Sequence, residues 1–231
     1  MDAATNTPTA SAERMKGRSV FLLVSLLLFI LLVPYVEGHH ATEGILGIFY
    51  SLVMLASVYA VSDRRSHWIL ALALGLPGLV ESVIYAFGVN FLVLDRYGSF
   101  HLLPFHLYTT WLLLRSTLET RVVTKDTISG AVCVYLLIGM TWSLFYGLLV
   151  AFQPNAFHLA TVPAGQGTPD WTDLLYYSFV TLLTVGYGDI TPATRHARSL
   201  SVLEALVGIL FIAVLISRLV SLYRTPSDHE R

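Results

Sequence analysis

Long apolar runs constrain this chain more than any other feature of its sequence. A helix crossing the roughly 30 Å hydrocarbon core of a bilayer needs about 20 mostly apolar residues. Runs of that kind extend from Ser19 to Val36, Gly44 to Val61, Trp68 to Phe87, Ile128 to Phe152 and Ala197 to about Tyr223. A weaker candidate, from about Ser99 to Leu114, is interrupted by His101, Pro104 and His106. Between the last two strong runs lies an amphipathic stretch, Trp171 to Leu183, too short to span. Composition agrees with this reading. Only 13% of the 231 residues are charged and 55% are hydrophobic, against about 25% charged in soluble domains. A net charge of −1 leaves no electrostatic footprint for nucleic acid. The single cysteine, Cys133, excludes an internal disulfide and Cys-rich zinc sites, and reads as a small core residue. The expectation is an all-α, multi-pass membrane protein.

Charge placement sets the number of spans, because Arg and Lys concentrate in cytoplasmic loops near span ends. With the N-terminus inside and six spans, Arg14, Lys16, Arg18, Arg64, Arg65, Arg115, Arg121, Lys125, Arg218, Arg224 and Arg231 face the cytoplasm. Only Arg96, Arg195 and Arg198 face outward. Five spans spoil this bias, so the weak fourth run is kept as a span and both termini are placed in the cytoplasm. The first run is too long for a signal-peptide core, and no small-x-small cleavage site follows Pro34. Residues 1–17, rich in Ala, Thr and Ser, read as a disordered tail.

The most specific motif is Thr184-Val185-Gly186-Tyr187-Gly188-Asp189. It follows a short helix carrying Trp171 and Thr181, precedes Thr191-Pro192, and is flanked by two long apolar runs. In this order the features resemble the selectivity filter and pore of the potassium channel family, over roughly Ile128 to Tyr223. The resemblance implies a pore of four copies in which backbone carbonyls of Thr184, Val185, Gly186 and Tyr187 replace the hydration shell of K+. The Thr184 hydroxyl completes the innermost site. Gly186 and Gly188 permit backbone angles that residues with a Cβ avoid, so successive carbonyls can point inward. One chain supplies a quarter of each ring, which implies a homotetramer unless partner subunits complete the ring.

On that resemblance the chain divides into a disordered cytoplasmic tail (1–17), a four-span module (18–116), a cytoplasmic linker (117–127), a pore domain (128–224) and a short tail (225–231). The pore domain comprises outer helix, re-entrant pore helix, filter and inner helix. Tyr176 and Tyr177 fall at the family's aromatic-pair position, and Tyr177 is expected to hydrogen-bond Asp189 and brace the filter; ordinary packing is the alternative. Asp189 and Thr181 complete the filter support. Val180 stands where some members carry a glutamate, and Leu183 replaces a threonine found in many. Gly208 matches the gating hinge, although close packing explains a helix-interior glycine equally well. Ile212, Ile216 and Val220 recur at helical spacing below it, where they either gate by dewetting or face lipid and neighbouring helices.

The fourth run lacks the regularly spaced arginines that steep voltage gating requires, having none until Arg115. Arg115, Arg121 and Lys125 are irregularly spaced and fit the cytoplasmic bias alone. Glu81 and Glu204 are costly inside a membrane unless neutral, paired or wet, which makes them gating or proton-sensing candidates. His101 and His106 are possible partners of Glu81 or proton sensors. His39 and His40 read as a solvated loop, and Arg198 as a support or a helix cap near the filter. No spacing suggests a catalytic triad, an enzyme, an organic cofactor or a small-molecule substrate, and the residues after Tyr223 suggest no regulatory module. The expectation is a K+-selective channel without steep voltage gating, in the plasma membrane (the cell inner membrane if bacterial). A weakly selective cation channel, and a transporter component or accessory subunit silent on its own, are the alternatives.

Overall fold

The computed structural model describes residues 18–36, 40–61, 65–87, 92–119, 124–160 and 167–223. They form seven helices: α1 (Arg18–Val36), α2 (His40–Val61), α3 (Arg65–Ala86), α4 (Leu92–Glu119), α5 (Lys125–Phe152), α6 (Trp171–Leu182) and α7 (Arg195–Tyr223). Strands β1 (Phe157–Leu159) and β2 (Ile190–Pro192) pair antiparallel, Phe157 opposite Pro192 and Leu159 opposite Ile190. This small ribbon is the one departure from an all-helical architecture among the described residues. The expected tails at 1–17 and 225–231 lie outside them, as does His39. His40 opens α2 and is therefore not part of a loop.

Two helical segments, Lys125–Phe152 and Arg195–Arg218, are long and apolar enough to cross a membrane. The apolar segments Ser19–Tyr35, Gly44–Ala56 and Ile69–Ile84 are shorter. The fourth run is helical over more than the expected stretch. It begins at Leu92 rather than Ser99, continues through Pro104 and ends at Glu119. With α5 starting at Lys125, the connection is shorter than the expected linker over 117–127. Thr124 sharpens that start: its Oγ1 accepts the Thr127 amide (3.2 Å), while the Thr124 amide donates to Thr127 Oγ1 (3.3 Å). This reciprocal cap satisfies two amides that lack partners within the helix.

Helix α5 is the spine of the molecule, packing against α1, α4, α6 and α7. The larger core joins Leu26 and Phe29 of α1, Met54 and Val58 of α2, Phe105 and Leu112 of α4, and Val134 and Leu137 of α5. Helix α5 and the N-terminal bundle thus share one apolar interior. His106 is buried there and uses both ring nitrogens: Nδ1 faces the Leu102 carbonyl (2.9 Å) and Nε2 the Tyr50 hydroxyl (2.6 Å). Its partners are Tyr50 and Leu102, not Glu81 as the sequence suggested. The His101 side chain lies outside the described ones. Glu81 sits half-buried in α3, which packs on α2 and α4. A second, smaller core of Tyr146, Phe157, Leu174, Tyr177, Ile190 and Ala197 gathers α5, α6, α7 and both strands. This second core positions the candidate site.

Candidate functional site

The site is built at the end of a helix too short to cross a membrane. Helix α6 starts at Asp170, whose Oδ1 accepts the Asp173 amide at 2.8 Å, while the Asp170 amide donates to Asp173 Oδ2 at 3.3 Å. The far end of α6 is closed by the loop that follows it. Leu183 N donates to the Phe179 carbonyl (3.0 Å), Thr184 N to Thr181 (2.9 Å) and Val185 N to Val180 (2.9 Å). The Tyr135 hydroxyl of α5 donates to the Leu182 carbonyl at 3.1 Å. Carbonyls that a helix C-terminus leaves without intrahelical partners are thereby occupied, and the loop is fixed to the helix that leads into it. Thr181 and Val180 contribute through their backbone oxygens.

The loop has an unusual backbone. Thr184, Gly186 and Gly188 have positive φ, at 57°, 61° and 80°, while Val185 and Tyr187 between them do not. A strict alternation of φ sign in consecutive residues turns successive carbonyls toward one side of the strand, unlike the two-sided alternation of a β-strand. Glycine is needed here for backbone angle and not for room, since a Cβ on Gly186 or Gly188 meets nothing within 4 Å. Thr184 is the only non-glycine residue with positive φ among the described residues, and such strain concentrates at functional sites. Residues 183–188 are exposed in the single chain.

Asp189 closes the loop. Its Oδ2 accepts the Tyr176 hydroxyl at 2.7 Å, its Oδ1 the Ile190 amide at 3.0 Å, and its carbonyl the Ala160 amide at 2.8 Å. The Tyr176 hydroxyl, with help from the Ile190 amide, holds the Asp189 carboxyl below the ordinary carboxylate range, against a smaller opposing effect of burial. Tyr177, expected to make this bond, does not. It points the other way, with its hydroxyl 2.6 Å from Ser201 Oγ of α7. Its ring packs edge-on against Tyr146 and Phe157, at 5.1 and 5.0 Å between centroids. Adjacent residues on a helix are about 100° apart, so only one of the two tyrosines can face Asp189. Downstream, Arg198 Nε donates to the Pro192 carbonyl at 3.1 Å, bracing the strand that leaves the loop.

Helix α7 passes close behind. A Cβ on Gly208 would lie 2.5 Å from the Leu182 carbonyl oxygen and 3.0 Å from Leu182 Cδ1. Close approach of two backbones is thus a sufficient reason for this glycine. Glu204, one turn earlier, is fully buried between the Tyr146 hydroxyl of α5 and the Ser178 hydroxyl of α6. Ile212, Ile216 and Val220 are exposed on α7 in the single chain. The sequence marks Glu204, an acid within an apolar run, but gives no sign of Ser178, Ser201, Tyr135 or Tyr146. Tyr146 meets Glu204 from 58 residues away, and nothing local signals the pairing.

Residues 127–225 match the family model described as "Ion channel". The chain is 41% identical over 95 residues to "Two pore potassium channel c" of rice (Oryza sativa subsp. japonica), covering 41% of this chain and 18% of that protein. It is 32% identical over 104 residues to "Two-pore potassium channel 4" of Arabidopsis thaliana, covering 45% and 34%. It is 38% identical over 80 residues to "Protein LctB" of Geobacillus stearothermophilus, covering 33% and 59%. The chain thus spans less than two thirds of the length of each of these relatives. No solved structure matches it. The family match encloses α5, α6, the loop with alternating φ and α7, and over this segment the chain is similar to the potassium channels of rice and Arabidopsis.

Proposed function

We propose that this protein is a potassium-selective channel, a homotetramer whose subunits contribute α5, α6, the 184–188 loop and α7 to a central pore. K+ is the transported ion. The carbonyls of Thr184, Val185, Gly186 and Tyr187, with the Thr184 hydroxyl, replace its water, and ions advance by knock-on between adjacent sites. Gly188 ends the ladder, and Asp189, tied to Tyr176, anchors it at the outer side. The negative C-terminal end of α6 leads into the innermost site and favours a cation there. The observation that carries this reading is the alternating φ at Thr184, Gly186 and Gly188, in a loop left exposed by its own chain. A column of carbonyls on one strand coordinates nothing alone; four columns facing one axis form rings. The exposed apolar face of α7, with Ile212, Ile216 and Val220, fits the lining of an inner vestibule and the contacts between subunits.

The remaining architecture follows from charge placement: six spans, with α1 to α4 as a four-span module, both termini in the cytoplasm, and insertion in the plasma membrane. Opening is not steeply voltage-dependent, because α4 carries no regular arginine ladder. The test is a planar-bilayer recording of the purified protein under opposing K+ and Na+ gradients. Reversal near the potassium equilibrium potential, with a shallow current–voltage relation, is expected. Reversal near zero would replace the proposal with a weakly selective cation channel.

A further inference from the structure

Three short oxygen–oxygen contacts meet behind α6, and only two hydroxyl protons are available to fill them. The carboxyl of Glu204 touches the Tyr146 hydroxyl through Oε2 and the Ser178 hydroxyl through Oε1. The same Ser178 oxygen lies 2.7 Å from the carbonyl oxygen of Gly139 on α5. Oxygens this close attract only with a proton between them. Tyr146 and Ser178 carry one hydroxyl proton each, and a carbonyl or a carboxylate carries none. The third proton has one place left to sit. Among the described residues, the ionisable groups that face Glu204 are phenols, Tyr135 and Tyr146 from α5 and Tyr177 from α6. None of them is a cation that would hold a carboxylate in this apolar setting.

We infer that Glu204 is a protonated carboxylic acid and a positioning residue for the filter helix: it donates to Ser178, Ser178 donates to the Gly139 carbonyl, and Tyr146 donates to the other carboxyl oxygen. Each contact then holds one proton, and one side chain of α7 ties α6 to α5 at two points. Below it, Gly208 lets α7 approach the Leu182 carbonyl, so the same helix supports α6 along its last turns. Removing the proton leaves one contact with two facing lone pairs, and α6 loses a fixed distance to α5. The consequence for conduction rests on the channel reading above; the location of the proton does not.

The experiment is infrared difference spectroscopy of the full chain reconstituted in lipid, wild type minus Glu204→Gln at neutral pH. A protonated-carboxyl band present in the wild type and absent in the variant is expected. Ser178→Ala should move that band to higher frequency, because the acid loses its acceptor. A difference containing ionised-carboxylate bands alone overturns the assignment, as does a band that Ser178→Ala leaves in place. The Ser178→Ala comparison stands by itself if the glutamine variant does not fold. In bilayers the wild-type K+ current should fall several-fold from neutral to alkaline pH. Glu204→Gln, whose amide can donate to Ser178 and accept from Tyr146, should keep its current and lose the pH response. A wild-type current indifferent to alkali overturns the positioning role. The infrared band in a chain without K+ current upholds the protonated acid and sinks the channel reading instead.

Discussion

Glycine at 186 is there for a backbone angle, and the consequence is measurable. A left-handed conformation costs a residue with a Cβ about 1–2 kcal/mol, so Gly186→Ala pushes φ, at 61°, toward negative values. The carbonyl column then turns, although the methyl itself meets nothing within 4 Å. Expected is a loss of K+ selectivity in bilayer recordings, with the helices intact by circular dichroism. The neighbouring tyrosines separate two roles. Tyr176→Phe removes the hydroxyl that holds the Asp189 carboxyl below its ordinary range, so the carboxyl should titrate at higher pH in the variant, read by NMR or infrared titration. A carboxylate whose native pKa is depressed adds stability above its unfolded pKa and loses it as pH falls through the native one. The stability difference between wild type and Tyr176→Phe is therefore full at neutral pH and shrinks on acidification. Tyr177→Phe, which loses a bond to Ser201, should leave the Asp189 titration unchanged.

At the scale of elements, α6 is held at every side: by its cap at Asp170, by the loop amides at its far end, and by α7 behind it. The tightest of these contacts is Gly208 against Leu182. Gly208→Ala places a methyl 2.5 Å from a backbone oxygen, which cannot rotate away as a flexible side chain does. The helices must separate, at about 1–3 kcal/mol of overpacking in each chain. The expected outcome is a lower thermal midpoint and reduced current, measured on the reconstituted protein. These contacts also mark the limit of sequence reading. The apolar runs, the short amphipathic helix and its order between two long helices were legible, because period and length are local properties. The extension of α4 to Leu92 was not, because Asp95 and Arg96 break the apolar run without breaking the helix. The β1–β2 ribbon left no signal in strands of three residues.

At the scale of the whole molecule, helices α1 to α4 share a core with α6 and α7 through α5, so the N-terminal bundle is a packed part of the same molecule. In the last turns of its fourth helix Arg115 is exposed, pairs with Glu119 at 2.7 Å and lies 5.7 Å over the Trp111 ring. An exposed arginine whose partners lie one turn away on its own helix is poorly placed to move through a field. Arg115→Gln should therefore leave the slope of the conductance–voltage relation unchanged; a clear change in slope would assign α4 a sensing role. What the sequence by itself determined is the chemistry that resides in the backbone and in apolar length: a strand of carbonyls needing glycine at 186 and 188, set between two long apolar helices. Tertiary structure alone decided which tyrosine bonds Asp189, and which hydroxyls meet Glu204. Neighbouring residues on a helix face directions about 100° apart. The rotation of α6 about its own axis is set by the packing of α5 and α7 on either side, which no local pattern encodes.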